Sequence, residues 1–218
     1  IGVDQLRRAG AHVFRRDEMD ESYVSESLIG REAPDFHAQA MINGEIVDNV
    51  SLDFFRGKQV LLCFYPLDFT FVCPTELHAF QRSLSLFRER DTEVVACSID
   101  SVFCHLAWFR TPRNKGGIQG VEFPIISDIH RTIAGDYRVL SKESGVAFRG
   151  LFLIDQHRVI RYVQVNDLPI GRSTGETLRI IDALAHYRER GEVCPANWEV
   201  GEKSMIPTEE GLERYFGT

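Results

Sequence analysis

The chain has 218 residues, a formal net charge of -7, and a composition that is 44% hydrophobic and 26% charged. This is enough for one domain with a full core and excludes a disordered or fibrous architecture. The negative charge, with no Lys/Arg run free of acids, argues against nucleic acid or an anionic membrane as partner.

No stretch approaches the roughly 18 apolar residues of a membrane span, and residues 1–30 lack the apolar core of a secretory signal. Residues 1–29 read as a polar N-terminal extension. Its arginines Arg7, Arg8, Arg15 and Arg16 are interleaved with Asp4, Asp17, Glu18, Asp20 and Glu21, against an intact organellar presequence.

Ser51 to Arg56 reads as a short helix or turn, and Gln59 to Tyr65 as a buried parallel strand, because its apolar run is continuous. Pro66 ends that strand. From Pro74 onward Leu77, Phe80, Leu84 and Phe87 fall at helical spacing and predict one helix with a single apolar face. A strand over Glu93 to Ile99, a helix over Val102 to Lys115 and a short strand over Phe123 to Ser127 follow. Phe148 to Ile154 and Val159 to Val165 read as neighbouring strands joined at Asp155-Gln156-His157. Ser173 and Glu176 fit a capping box opening a helix that ends near Gly191. Strands alternating with helices imply an α/β fold, a sheet with helices packed on it. Glu192 to Thr218 forms a C-terminal tail with Cys194, Trp198, Leu212, Tyr215 and Phe216, aromatics that call for packing against this subunit or another.

The five cysteines form an odd count without regular spacing, which fits a reducing compartment rather than a disulfide framework. Cys63 and Cys97 sit in apolar strand runs and read as core. Cys104 adjoins His105, poor geometry for two ligands of one metal, and no metal-binding spacing completes a site. His78 is expected to point away from Cys73.

Cys73 sits where a loop enters a helix, with Pro74 at a position where a missing N–H is harmless. The thiolate is the nucleophilic form of cysteine, and depressing a thiol pKa by two units needs about 2.7 kcal/mol. A helix N-terminus supplies about 0.3–1 kcal/mol, so a nearby cation is required as well. Arg149, at the start of a very apolar strand, is the best candidate, and Thr70 is near enough in a tight loop to offer a hydroxyl. Position alone leaves open an inert core cysteine, a turn-forming Thr70 and a surface-paired Arg149. The ordered set is what points to chemistry.

That set is Pro66-x-x-x-Thr70-x-x-Cys73-Pro-Thr-Glu76, then Arg149-Gly-Leu-Phe-Leu-Ile-Asp155, then Gly191-Glu-Val-Cys194-Pro-Ala-Asn-Trp198. From about Gly30 to Gly217 the chain resembles the typical 2-Cys peroxiredoxins, the group that includes bacterial alkyl hydroperoxide reductase C. The resemblance implies a thioredoxin-like fold, a central mixed sheet flanked by helices, with residues 30–190 as the peroxidase domain and 191–218 as the tail. It implies Cys73 as the peroxidatic and Cys194 as the resolving cysteine. Thr70 and Arg149 would bind the peroxide oxygens, Pro66 would shield the sulfur, and Glu76 would orient the arginine. The reaction it implies reduces hydrogen peroxide and alkyl hydroperoxides without metal, haem or flavin. The two cysteines would bridge the subunits of a homodimer, with decameric rings as a further step, and a thioredoxin-like dithiol would restore them. A cytoplasmic location is expected, with the mitochondrial matrix as the alternative.

A ring-forming holdase chaperone is the second function the resemblance permits. A general disulfide oxidoreductase is disfavoured because Cys73-Pro-Thr-Glu76 lacks a second cysteine. Easily overoxidised members resemble one another in a Gly-Gly-Leu-Gly loop and a C-terminal Tyr-Phe pair. Here Tyr215-Phe216 is present but the loop reads Gly116-Gly-Ile-Gln119-Gly120, which predicts intermediate sensitivity.

Overall fold

The computed structural model describes residues 27–217. The Arg-bearing stretch up to residue 26, most of the expected polar extension, and Thr218 lie outside the described residues.

A hairpin that the apolar pattern does not predict comes first. Strands β1 (Ala38–Ile42) and β2 (Glu45–Val50) pair antiparallel with Ile42 opposite Glu45. Their turn is Asn43-Gly44, with φ of 49° and 85°, a mirror-image turn whose twist suits the flanking strands. A single helical turn over Leu52–Phe55 leads into β3 (Gln59–Phe64). β3 sends Val60, Leu62 and Phe64 to one core and Leu61 and Cys63, with Tyr65 just beyond its end, to the other. Both faces are covered, which explains why the strand is apolar throughout instead of alternating with polar residues.

β4 (Thr92–Ser98) and β5 (Ile125–Ser127) extend the sheet in parallel on one side of β3, while β6 (Arg149–Ile154) and β7 (Ile160–Asn166) extend it antiparallel on the other. The result is a 7-stranded mixed sheet in the order β2-β1-β5-β4-β3-β6-β7.

The helix expected from Pro74 to Phe87 is two helices, α1 (Val72–Arg82) and α2 (Leu84–Arg88). Ser83, at φ -98° and ψ 7°, ends one and begins the other. Serine competes poorly as a helix-interior residue, yet Leu84 and Phe87 remain buried beside Leu77 and Phe80. The helix expected over Val102 to Lys115 also stops early. α3 is Val102–Arg110, followed by Pro112 and a short turn over Arg113–Lys115, because a proline cannot continue the ladder.

Helix α4 (Thr132–Asp136) packs Ile133 and Ala134 on one sheet face, and α5 (Thr174–Arg190) packs Ile181 on the other, with α1 and α3. The Ser173 hydroxyl caps α5 by accepting from the Glu176 N–H at 3.2 Å, as expected. The reciprocal half of the capping box is replaced, since the Glu176 carboxylate pairs with Arg179 at 2.7 and 2.8 Å. In the tail, α6 (Glu209–Phe216) is short, and Trp198 is buried against the His186 ring with centroids 4.7 Å apart.

The β6–β7 turn is held by Asp155, whose buried carboxylate accepts from the N–H groups of His157 and Val159 and from Arg161 and Arg188, all at 2.7–2.9 Å. Burial alone would raise this carboxyl, but the Arg161 hydrogen bond and the two backbone donors outweigh it and hold it below the ordinary 3.8. Its stabilisation is therefore complete above that value and is lost as pH falls through the lower folded value. Asp155→Asn is expected to lower the melting temperature at pH 7 and to flatten its fall between about pH 5 and pH 3. Parallel melting curves for the two proteins across that range would show that Asp155 is not a source of acid sensitivity.

Candidate active site

Cys73 lies in the first turn of α1, immediately after the loop that leaves the carboxyl end of β3, and is fully buried. Ligand sites of α/β sheets form in this position, where strand ends meet helix N-termini. Pro74 follows within the same first turn, where no intrahelical N–H donor is missed. Pro66 is buried just after β3.

The loop presents Thr70 to the sulfur. Thr70 Oγ1 is 3.0 Å from Cys73 Sγ and 2.9 Å from the Leu67 carbonyl oxygen. One hydroxyl hydrogen serves two acceptors. A protonated sulfur can donate to Thr70 while Thr70 donates to Leu67, and an anionic sulfur takes the Thr70 hydrogen for itself.

Phe69, beside it, sits at φ 54°, a conformation that side chains other than glycine rarely adopt and that surrounding structure must enforce. Asp68 provides that enforcement. Its carboxylate accepts from the Tyr65 hydroxyl at 2.7 Å and meets His105 Nδ1 at 2.8 Å, while its N–H donates to Asp100 Oδ2 at 2.8 Å. Burial first, and then the Asp68 charge, raise the Tyr65 hydroxyl well above its usual range, so it remains a donor.

Arg149, the first residue of β6, reaches the sulfur from the neighbouring strand. Its Nη1 is 3.5 Å from Cys73 Sγ and 2.7 Å from Glu76 Oε2, and its Nε donates to the Leu168 carbonyl oxygen at 2.6 Å. A second guanidinium, that of Arg172, closes the arrangement. Its Nε and its backbone N–H both donate to Glu76 Oε1 at 2.7 and 2.9 Å, its Nη2 to Glu76 Oε2 at 3.1 Å, and its Nη1 to the Gly150 carbonyl oxygen at 2.6 Å. Glu76 is thereby fixed at both oxygens between two buried arginines, one of which touches the sulfur.

A buried carboxylate needs such pairing, and the result is a positive donor aimed at Sγ with its position set from three sides. Thr70, Cys73, Glu76 and Arg149 thus meet at one point, while Arg172 and the Asp68–His105 pair are additions that no local sequence signal marks.

Cys194 lies apart, half-buried with Sγ 3.5 Å from the Ala183 carbonyl oxygen of α5. Burial raises its thiol, with Arg179 opposing and Glu192 adding to the effect. Both cysteines carry free thiols, as do Cys63, Cys97 and Cys104. Cys63 is pushed up to about 12, mainly by burial, which fits a core residue. His78 turns to the Gly117 carbonyl oxygen, 3.0 Å from its Nε2.

Among the described residues, the one group with ligand atoms close enough to hold a metal ion is Asp68, Asp100 and Cys104, within 4.8 Å of one another. Its carboxylates already accept hydrogen bonds from Tyr65, Ser98 and the Asp68 N–H, and burial followed by the two acids pushes the Cys104 thiol up to about 12. The hydrogen bonds from Tyr65 and from the Asp68 N–H tie this cluster to the loop that carries Thr70, which it supports.

The sequence profile of the AhpC/TSA family matches residues 29–163. The chain belongs to this peroxiredoxin family. The profile of the C-terminal domain of 1-Cys peroxiredoxin matches residues 183–218. A thioredoxin peroxidase of Echinococcus granulosus is 46% identical over 192 residues, covering 88% of this chain and 99% of that protein. The reduced crystal structure of a Plasmodium vivax 2-Cys peroxiredoxin superposes with a TM-score of 0.85 at 47% identity, over 88% of this chain and all of the other. A mitochondrial 2-Cys peroxiredoxin of Plasmodium falciparum gives a TM-score of 0.72 at 46% identity, over 77% of this chain and 99% of the other. The protein is a thiol-dependent peroxidase with the thioredoxin-like peroxiredoxin fold. Among the described residues no helix is long and apolar enough to cross a membrane.

Proposed function

We propose that this peroxiredoxin reduces hydrogen peroxide and alkyl hydroperoxides by in-line attack of the Cys73 thiolate on the O–O bond. A new S–O bond forms and the O–O bond breaks, leaving Cys73 as a sulfenic acid, while the departing hydroxide or alkoxide takes up a proton from solvent and leaves as water or an alcohol. The observation that carries this reading is the convergence of Thr70 Oγ1 and Arg149 Nη1 on Cys73 Sγ, at 3.0 and 3.5 Å. Both donors are in place before the substrate arrives and can follow charge from the sulfur onto the leaving oxygen. Glu76 orients the arginine, and Pro66 shields the sulfur from water.

Cys194 then condenses with the sulfenic acid, forming an S–S bond and releasing water. A disulfide requires Cα atoms about 4.4–6.8 Å apart. Cys73 is enclosed at the start of α1 and Cys194 is packed on α5, so the first turn of α1 must open and the tail must leave its seat.

We assign the bridge to two subunits of a homodimer. β7 is an edge strand whose Val165 is exposed, with Ile170 exposed just beyond it, a surface suited to continuing the sheet into a second copy. Phe69, Phe71 and Phe103 form further exposed apolar surface suited to assembly of dimers into rings such as decamers. A thioredoxin-like dithiol returns both cysteines to thiols by exchange. The cytoplasm or the mitochondrial matrix, both reducing, provides the compartment.

A non-reducing gel after one equivalent of peroxide tests the pairing. Wild type is expected to run as a covalent dimer, and Cys73→Ser and Cys194→Ser, kept apart, as monomers. A bridge that persists in either variant would exclude Cys73–Cys194.

A further inference from the structure

A groove of about 430 Å³ opens beside the peroxide site, and Thr70, Phe71, Pro74, His78, Arg82 and Arg113 are among its lining residues. We infer that it is a substrate subsite for hydroperoxides that carry a remote carboxylate, with Arg82 and Arg113 binding the carboxylate while the O–O group lies at Thr70 and Cys73. The inference rests on Cys73 as the attacking sulfur and adds the class of organic peroxide that the same site prefers.

Three observations carry it. The first is charge. The chain has 32 acidic residues against 25 Lys and Arg, and the two arginines that follow Arg82 in sequence are paired, Arg88 with Glu122 and half-buried Arg90 with Asp182. Arg82 and Arg113 form no ion pair among the described residues, and no acid lines the groove between them. Two guanidinium groups without a counter-ion, at a concave surface of an otherwise acidic protein, concentrate anions there.

The second observation is continuity with the chemistry. Thr70, whose hydroxyl is 3.0 Å from Cys73 Sγ, and Pro74, the residue after the cysteine, form one end of the groove. Arg82 is the last residue of the same helix α1. At 1.5 Å rise per residue, its backbone lies about 13 Å along the helix from that of Cys73. Phe71 and Pro74 provide apolar wall near the sulfur, so a hydrocarbon chain can run from the O–O group to the carboxylate.

The third is that the far wall is held in place by close backbone packing. Gly117 admits no side chain, since a Cβ there would lie 1.9 Å from the Thr111 carbonyl oxygen. His78 pins the same glycine to α1 through its carbonyl oxygen at 3.0 Å.

A fatty-acid hydroperoxide with its O–O group far from the carboxylate fits this spacing. The reaction is unchanged, with the S–O bond forming, the O–O bond breaking and the hydroxy acid leaving. The test compares kcat/KM for such a hydroperoxide with that of its methyl ester, both below their micellar concentrations, with the full recycling system present. Wild type should favour the acid by about fivefold to tenfold at low salt, the range expected of two exposed ion pairs. That preference should fall toward one at about 0.5 M salt, where the Debye length is only a few Å. In the Arg82→Gln/Arg113→Gln double variant the acid-to-ester ratio should also be close to one, and a ratio within one protein is insensitive to how much of it is folded. An equal rate for acid and ester in wild type, or a preference that survives in the double variant, would overturn the subsite. Cys73→Ser must lose both activities, and if it does not, the attacking sulfur has been misassigned, which is a separate failure.

Discussion

Replacing Arg149 by alanine is expected to lower kcat/KM for hydrogen peroxide by about 10²- to 10³-fold, the usual effect of removing one donor that stabilises charge in a transition state. The guanidinium holds three positions at once, on Cys73 Sγ, Glu76 Oε2 and the Leu168 carbonyl oxygen. Lysine cannot reproduce that planar fork, so Arg149→Lys should recover little of the loss. Steady-state peroxide consumption with saturating reductant checks both variants. A loss under about fivefold in Arg149→Ala would mean that Thr70 and the helix start suffice without the cation.

The second large effect is expected at Arg172, which touches no reacting atom. Arg172→Met removes the bonds from Nε and Nη2 to Glu76 and the bond from Nη1 to Gly150, and leaves a buried carboxylate with Arg149 as its remaining side-chain partner. Breaking one arm of a buried ion cluster costs about 3–5 kcal/mol, to be read as a lowered midpoint in urea at unchanged slope. The released Glu76 no longer fixes Arg149, and misplacement of a catalytic group by about 1 Å can lower the rate about 10²-fold. Loss of stability with full activity would make Arg172 a structural residue only, and loss of neither would show that Arg149 is oriented by other means.

The residues that converge on Cys73 each have a local signature in the sequence. β3 is an unbroken apolar run between two covered faces, the apolar spacing after Pro74 marks the helix that Cys73 opens, and Arg149 is a charge out of place at the start of an apolar strand. Residues that work through distant contacts have no such mark. Arg172 stands in a polar stretch ahead of α5 and meets Glu76 across 96 positions of sequence. Asp68 meets His105 across 37, and neither pattern nor spacing joins them.

The β1–β2 hairpin was legible only in its Asn43-Gly44 turn, since its strands carry polar and apolar residues in no clean alternation. The helix breaks at Ser83 and Pro112 had a visible cause, but apolar periodicity running through both points favoured longer helices. The tail was legible as chemistry through Cys194 more than as structure. Trp198 finds a buried seat on α5, while Phe216 remains exposed.

The surroundings of Cys73 are expected to turn an ordinary sulfur into a fast peroxide reductant. Stopped-flow oxidation of the reduced protein by one equivalent of hydrogen peroxide, with the sulfenic acid trapped and located by mass spectrometry, is the decisive experiment. A single adduct at Cys73 is expected, formed at least about 10³-fold faster than on free cysteine, in keeping with two aligned donors. An adduct at another cysteine, or a rate equal to that of the free amino acid, would contradict it.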